Sequence, residues 1–408
     1  MDKKLSIAIA GAGMSALAVA LFLHRAGHSV CIYEAFEKPA PVGSGLMLQP
    51  TGLSVLAELG LADAILSMGN RIDRLVGNDA ASGRVVLDVS YERQKTGRFG
   101  LAVHRTALFD VLYKAVKAEG IEMRFSHPVT DREEQGDKVS PLVDGQAQQP
   151  VDLLIDCCGG HSPLRRSVLP YVEQRKLAYG AFWTTLDWVG EAFDPHALQQ
   201  RYDKASVMIG VLPVGYCPGE SSKKAAFFWS LKACDADDVR AEGIDAWKGK
   251  VRGYWPQTAP YLDQISDFDQ LTLAGYGHHT LKTVYTGRVL HLGDSAHSTS
   301  PQLGQGANMA LLDAASFAFA LAASNSVDEA LTAHQKARRW HVKVYQALSY
   351  LLTPFYQSDS IAIPKMRDLL MGSVARVPPA PALLRAMVAG TLVDPLAPIG
   401  LSHYRGKD

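Results

Sequence analysis

The sequence predicts an α/β fold with α+β insertions: a mainly parallel, doubly wound sheet, an inserted antiparallel sheet, and a helical C-terminal region. Three observations predict it. The first sixty residues run strand, glycine-rich turn, helix, strand, which is how a doubly wound sheet begins. Between 178 and 285 the pattern changes to aromatic, alternating segments, the period-2 signature of antiparallel strands. From 287 the chain returns to an apolar strand, a glycine-rich loop and a buried helix.

Each element follows from local pattern. Residues 5–10 (LSIAIA) are a short apolar run ending in Gly11-Ala12-Gly13; residues 16–25 read as a helix closed by Gly27, and 29–34 (SVCIYE) as the next strand. This order makes the domain Rossmann-like. Leucines at 53, 56, 59 and 61 predict one helix over 51–66, and 71–92 alternate around Ala81-Ser82-Gly83 as a hairpin. Residues 104–119 set Leu108, Val111, Leu112, Ala115 and Val116 at helical spacing, with a strand to follow at 121–125. A polar, turn-rich stretch predicts exposed strands before the apolar strand 151–156. The run 307–323 reads as a buried helix, and Ser326-Val327-Asp328-Glu329 as the capping box of another. The last sixty residues mix short helical segments with proline breaks. The expected organisation is a discontinuous nucleotide-binding domain (1–70, 100–177, 286–340), a substrate-binding β-sheet domain (71–99, 178–285) and a helical C-terminal region (341–408).

Composition narrows the function. Apolar residues make up 47% and charged residues 20% of 408, a globular balance. Lys plus Arg and Asp plus Glu are both 41, without a basic block, which argues against nucleic-acid binding. The apolar run 307–323 is too short for a membrane span and contains Asp313. Five cysteines without repeating spacing, and an N-terminus without a signal-peptide apolar region, lead us to expect a reducing cytoplasm.

Two constellations carry chemistry. GAGMSA (11–16) fits G-x-G-x-x-G/A: Gly11 permits the tight turn, Gly13 lets backbone approach a pyrophosphate, and Ala16 keeps the helix close to the sheet. Glu34 ends the second strand, where an acid accepts hydrogen bonds from a ribose and disfavours a 2′-phosphate; FAD or NAD is expected rather than NADP. In GRVLHLGDSAHSTSPQLGQGANMAL (287–311), Asp294 ends a strand, and Pro301, Gly304, Gln305 and Gly306 form a loop leading into a helix. Exposed N–H groups and a helix dipole there suit a group that gains negative charge, such as the pyrimidine edge of a reduced flavin.

Together these segments resemble the FAD-dependent aromatic-ring hydroxylases of the para-hydroxybenzoate hydroxylase type, over roughly residues 5–340. GAGMSA with Glu34 is similar to the family's first FAD motif, which implies cofactor contacts at Gly11, Gly13, Met14, Ser15, Ala16, Glu34 and Ala35. GSGLMLQPTG (43–52) resembles the segment beside the isoalloxazine, with Gly45, Leu46 and Met47 as contacts, and HRTALFDVL (104–112) resembles the helix start whose arginine, here Arg105, reaches the FAD phosphates. GDSAHSTSPQLGQGAN is similar to the second FAD motif. It implies Asp294 on the ribityl–pyrophosphate region, Pro301 near the flavin, and Gly304, Gly306, Ala307 and Asn308 along its pyrimidine edge. Val129 and Gly159 complete the implied cofactor set.

DLLIDCCGGHSPLRR (152–166) keeps Gly159, Ser162 and Arg165 in the family frame but has Cys158 where the family has the Asp of Asp-Gly. A thiol cannot supply a carboxylate's acceptor geometry, so the departure weighs against direct NAD(P)H use more than against FAD binding. A metal site would need further spaced ligands, and only His161 is near; none is expected. Adjacent cysteines make a poor redox couple, so the pair reads as small buried residues at a strand end. Leu312 before Asp313, where the family commonly has Glu-Asp, is a second departure.

The resemblance implies an FAD-dependent monooxygenase that hydroxylates a small aromatic or heteroaromatic substrate with O2 through a flavin C4a-hydroperoxide, with NAD(P)H as transient electron donor. Substrate contacts are expected from Met47, Phe182, Met208, Leu212, Trp229 and Pro301. No His or Tyr stands out as a catalytic base, and His297 reads as structural. The alternatives are an oxygenase fed by a separate reductase, an oxidase or dehydrogenase that does not use NAD(P)H directly, and a non-catalytic FAD-binding relative.

Overall fold

The computed structural model describes residues 4–39, 43–91, 97–373 and 377–405. Parts of all three predicted domains, 1–3 and 40–42 in the nucleotide-binding domain, 92–96 in the sheet domain and 374–376 and 406–408 in the C-terminal region, lie outside the described residues. The first domain is built on a six-stranded sheet in the order Tyr285–Thr286, Val289–His291, Leu153–Asp156, Ser6–Ala10, Ser29–Tyr33, Glu122–Arg124. All pairs are parallel except the edge strand Tyr285–Thr286. Being covered on both faces, the central strands are apolar throughout: Ile7, Ile9, Leu153, Ile155 and Leu290 are fully buried. The register sets Ala10 opposite both Tyr33 and Asp156, and Asp156 opposite His291. The chain therefore leaves four adjacent strands at one edge, bringing together the loops after residues 10, 33, 156 and 291.

The helix Met14–Arg25 starts two residues earlier than its apolar period predicts and lies against the helix Gly306–Ala323. Ala16, Ala18 and Ala20 from one and Ala314, Ala315 and Ala318 from the other share one core, so the backbones approach closely. Gly306–Ala323 is long and apolar enough by composition to cross a membrane, but it is mostly buried inside this domain. The predicted helix over 51–66 is two, Pro50–Glu58 and Ala62–Met68. Gly60, at φ +69°, ends the first, and its N–H and that of Leu61 bond back to Ala57 and Leu56.

A seven-stranded sheet runs Thr272–Ala274, Tyr179–Asp187, Lys223–Lys232, Val207–Tyr216, Ala197–Asp203, Arg74–Asp79, Val85–Ser90. It is antiparallel except where Ala197–Asp203 pairs in parallel with Arg74–Asp79. Its outer face is covered by helices that the sequence pattern did not reveal, chiefly Ile244–Tyr254. That helix shows only a narrow apolar stripe, Trp247 and Val251, in an otherwise polar segment. A smaller sheet, Gly45–Leu48, Gly100–His104, Asn70–Ile72, sits between the two large ones.

The Ser326 side chain caps Val327–Tyr356 as expected, accepting from the Glu329 N–H at 3.2 Å, while Glu329 reaches back to the Asn325 N–H at 2.9 Å. This helix runs without interruption through residue 340, so the boundary expected there falls inside one rigid element. After Ala362–Ser373, the helix Ala380–Val388 returns to the glycine loop, where Gln305 Nε2 donates to the Val388 carbonyl at 2.8 Å.

Candidate active site

Gly11 and Gly13 do different work. Gly11 has φ +91°, and a Cβ there would stand 2.8 Å from the Cys157 carbonyl oxygen; it closes the turn against the neighbouring strand. Gly13 precedes the helix Met14–Arg25, and a Cβ on it would meet nothing within 4 Å. No side chain caps that helix, so its first N–H groups and positive dipole end face the open space beside Gly13. Met14 is its first residue, Ala16 is fully buried, and Ser15 Oγ reaches the Ala310 carbonyl at 3.4 Å. Glu34 accepts from the Ala12 N–H at 2.7 Å and the Phe36 N–H at 3.0 Å, which fixes its carboxylate beside the turn. Ala35 follows it on the surface. The Val129 side chain is buried in one cluster with Tyr33, Leu154 and Leu164.

The second loop is held from beneath. Asp313 accepts from the Gly293 N–H at 3.0 Å, His297 Nε2 at 2.6 Å and Arg338 Nε at 2.7 Å. Burial alone would raise the Asp313 carboxyl, but His297 and Arg338 outweigh it and hold it well below the usual carboxylate range. Burial likewise works against a charge on His297, yet Asp313 raises its pKa, and the 2.6 Å contact gives this histidine a structural role. This support leaves Asp294, next to Gly293 at φ +63°, with its side chain at the mouth of the cleft. The surrounding protein raises the Asp294 carboxyl against the pull of His297 and Arg105. Arg105 lies along Gly43, with Cδ 3.3 Å from where a Cβ of that glycine would be.

Asn308 ties the glycine loop to the strand Gly45–Leu48. Fully buried, it accepts from the Gln49 N–H at 2.8 Å and donates to the Met47 and Gly304 carbonyls, each at 3.0 Å. Its side-chain amide is thus committed to backbone, which leaves the backbone N–H in the first turn of Gly306–Ala323 as the group it can turn to a cofactor. Gly304, at φ +59°, turns the chain into the helix Gly306–Ala323, whose first residues, Gly306 and Ala307, carry no side-chain cap. Pro301 is exposed at the head of the loop, Met47 is buried, and Leu46 packs against the domain core. Gly45 allows its strand to meet the large sheet: a Cβ would stand 2.6 Å from Val214 Cγ1 and 2.7 Å from the Ala226 Cβ.

The two faces of that sheet separate the expected substrate residues. Phe182 and Trp229 belong to the outer cluster, with rings 6.3 Å apart and Trp229 6.0 Å from Trp247 of the covering helix. Both expectations are corrected, because strand alternation turns them away from the loop side. Met208 and Leu212 are on the inner face, Leu212 in one cluster with Met47. The inner face also carries Trp183 and Phe228, whose rings are 4.5 Å apart, and Tyr202. Trp183 and Phe228 are one residue out of step with Phe182 and Trp229; alternation in the sequence marks all four, and only the folded sheet decides which pair faces inward. Beside Gly43 and Ser44 a cavity of about 310 Å³ opens, lined also by Trp183, Thr184, Thr185, Gln270 and Thr272.

Cys157 and Cys158 are free thiols, and burial raises both pKa values, so neither is a ready thiolate. Gly159 follows at φ +76° with open space around it. Among the described residues no group of three or more His, Cys, Asp or Glu is placed to hold a metal ion.

The arrangement fits FAD: a side-chain-free cradle at a helix N-terminus, an acid after each of two strands that flank the central pair of the sheet, and a second helix N-terminus beside an aromatic sheet face. A family model described as FAD binding domain matches residues 4–346. The FAD-dependent urate hydroxylase of Klebsiella pneumoniae is 28% identical over 312 residues, covering 75% of this chain and 78% of that protein. The 3-amino-4-hydroxybenzoate 2-monooxygenase of Streptomyces cremeus is 27% identical over 321 residues, covering 77% of each. Among solved structures, Klebsiella pneumoniae HpxO complexed with FAD and uric acid superposes with a TM-score of 0.81 at 21% identity, over 95% of this chain and 97% of that one. The tetrameric form of 2-methyl-3-hydroxypyridine-5-carboxylic acid oxygenase gives 0.79 at 19% identity, over 99% and 100%; at these identities both likenesses concern the fold. The family match spans most of the chain, and the protein belongs to the FAD-binding-domain family, as an FAD-dependent oxidoreductase of the aromatic-hydroxylase type.

Proposed function

We propose that the protein hydroxylates a small, uncharged aromatic or heteroaromatic compound with O2, drawing electrons from NAD(P)H. Bound FAD supplies the redox and oxygen chemistry; the chain binds it, seats the ring and excludes water. The observation that carries this reading is the inner sheet face opposite the strand Gly45–Leu48. Its centre is Trp183, Phe228, Met208 and Leu212, and the charged side chains nearest on the same strands stand at their ends, ion-paired: Lys224 with Asp187 and Glu220, Lys232 with Asp359. Such a wall attracts a flat ring through apolar area and ring stacking, and the centre of these strands carries no charged side chain for a carboxylate. The names of relatives that act on urate and on an aminohydroxybenzoate support the ring class.

Stopped-flow mixing of the holoprotein with NADH or NADPH, with and without phenol, indole or hydroxypyridine, tests it. The expected result is flavin bleaching accelerated by an uncharged ring and not by hydroxybenzoate. The thiol at Cys158 favours one second reading, a separate reductase. No bleaching with either nucleotide, but hydroxylated product after chemical reduction, would select it; no product by either route would overturn the proposal.

A further inference from the structure

The carboxylate missing at Cys158 has a counterpart two residues upstream. Asp156 and His291 have no exposed surface, and they face each other across the parallel register. Asp156 Oδ1 accepts from the Cys158 N–H at 2.9 Å, and Oδ2 accepts from Ser162 Oγ and from His291 Nδ1, both at 2.6 Å. The Asp156 carbonyl takes two further bonds, from the Leu292 N–H at 3.0 Å and Ser295 Oγ at 2.7 Å. Those donors come from the turn 158–162 and from the segment 291–295 that contains Asp294. Both belong to the cofactor cleft. His291 serves this contact alone, since its Nε2 meets no partner.

We propose that Asp156 is a positioning residue for FAD. With His291 as its buried partner, it supplies from inside the strand the carboxylate that the family frame places at 158, and it locks the Gly159 turn and the Gly293–Asp294 loop in one arrangement. Its neighbours fit the relocation. A buried carboxylate must be bonded at both oxygens, and all the donors it needs are present. Cys158 beside it carries a thiol kept neutral by burial and by Asp156 itself, with Glu34 adding to the same effect. A second carboxylate at 158 would therefore repel both Asp156 and Glu34. The relocated carboxylate and the neutral residue at 158 are two halves of one change.

The test moves the carboxylate. FAD affinity of the apoprotein is measured by quenching of flavin fluorescence, and folding separately by thermal melting without FAD. Asp156→Ser should weaken FAD binding about tenfold to a hundredfold, the loss of one to two good hydrogen bonds' worth of positioning. Cys158→Asp alone should also weaken it. The double variant, Asp156→Ser with Cys158→Asp, should bind FAD at least about tenfold tighter than Asp156→Ser. A loss of fold unrelated to the cleft would not be rescued this way. If Asp156→Ser does not fold, Ser162→Ala, which removes one donor, decides: a threefold or greater weakening of FAD at an unchanged melting temperature supports the proposal. Wild-type affinity in Asp156→Ser or Ser162→Ala, tighter binding in Cys158→Asp, or a double variant no better than the single would overturn it. The inference rests on FAD as the resident cofactor; failure of the wild-type chain to bind FAD would instead strike at that family reading.

Discussion

Replacing Asn308 by Ala removes the fastener between the glycine loop and the strand beside the flavin. The amide makes three hydrogen bonds of 2.8 to 3.0 Å at a fully buried position. Each contributes about 1 kcal/mol net, and deletion leaves the Gln49 N–H and the Met47 and Gly304 carbonyls unpaired. A loss of about 3 kcal/mol follows from the bonds alone. Asn308→Asp keeps the acceptor for Gln49 but sets an oxygen against two carbonyl oxygens, so it should cost at least as much. Gly52 gives an independent check, because a Cβ there would overlap Asn308 Oδ1; Gly52→Ala should move the amide and weaken the same fastener. The assay is urea unfolding of the FAD-free protein followed by tryptophan fluorescence, with FAD affinity measured alongside. An Asn308→Ala protein within about 0.5 kcal/mol of wild type, with unchanged FAD affinity, would refute the reasoning.

Further expectations concern the cradle, the sheet faces and acid stability. Gly11→Ala should lower the melting temperature of the FAD-free protein, through its positive φ and the 2.8 Å approach to Cys157, whereas Gly13→Val should leave that melting temperature unchanged and weaken FAD at least about tenfold. Phe182→Ala should destabilise the fold by about 3 kcal/mol without altering substrate affinity, while Phe228→Ala should raise the KM for a ring substrate; steady-state kinetics beside thermal melts separates the two. His341 accepts from Arg338 Nη1 at 3.2 Å and donates to the Gly390 carbonyl at 3.0 Å, and burial followed by Arg338 lowers its pKa to about 3. The unfolded chain takes up that proton near pH 6.5 and the folded chain does not, so stability falls as pH drops from 6.5 towards 3, by about 1.4 kcal/mol per unit. His334, lowered to about 4 by burial, acts in the same direction, and the raised His297 acts oppositely, its contribution being lost as pH rises. Melting scans from pH 7 to 4.5 should therefore show a steeper acid limb in wild type than in His341→Gln.

Local pattern made the first domain legible, because its strands are buried on both faces and its turns need glycine. Ser6–Ala10, Gly11, Gly13 and Glu34 are readable for that reason: an apolar run, a glycine turn and a strand-end acid that bonds back to the Ala12 N–H all fall within thirty residues of chain. The Arg74–Asp79 and Val85–Ser90 hairpin is readable in the same way. What escaped was non-local. Alternation predicts that Phe182 and Trp183 point opposite ways but cannot say which points to the cleft; the covering helix with Trp247 decides it. Nothing local shows that the side-chain amide of Asn308 fastens Met47 and Gln49, some 260 residues away in sequence. Asp156 reads as an ordinary strand-end acid until the parallel register delivers His291. The Cys157–Cys158 pair, the most conspicuous feature of its segment, is chemically quiet because burial raises both thiols.

The central claim, oxygen transfer to an uncharged ring beside the apolar sheet face, is tested most directly by isotope. Anaerobically reduced holoprotein is mixed with an uncharged ring compound such as phenol or hydroxypyridine and then with oxygen-18 gas, and the organic product is weighed by mass spectrometry. The account predicts a hydroxylated product carrying one heavy oxygen atom, formed from the uncharged ring and not from hydroxybenzoate. Reoxidation of the flavin with hydrogen peroxide as the sole oxygen product for every ring offered, or product oxygen derived from water, would contradict it.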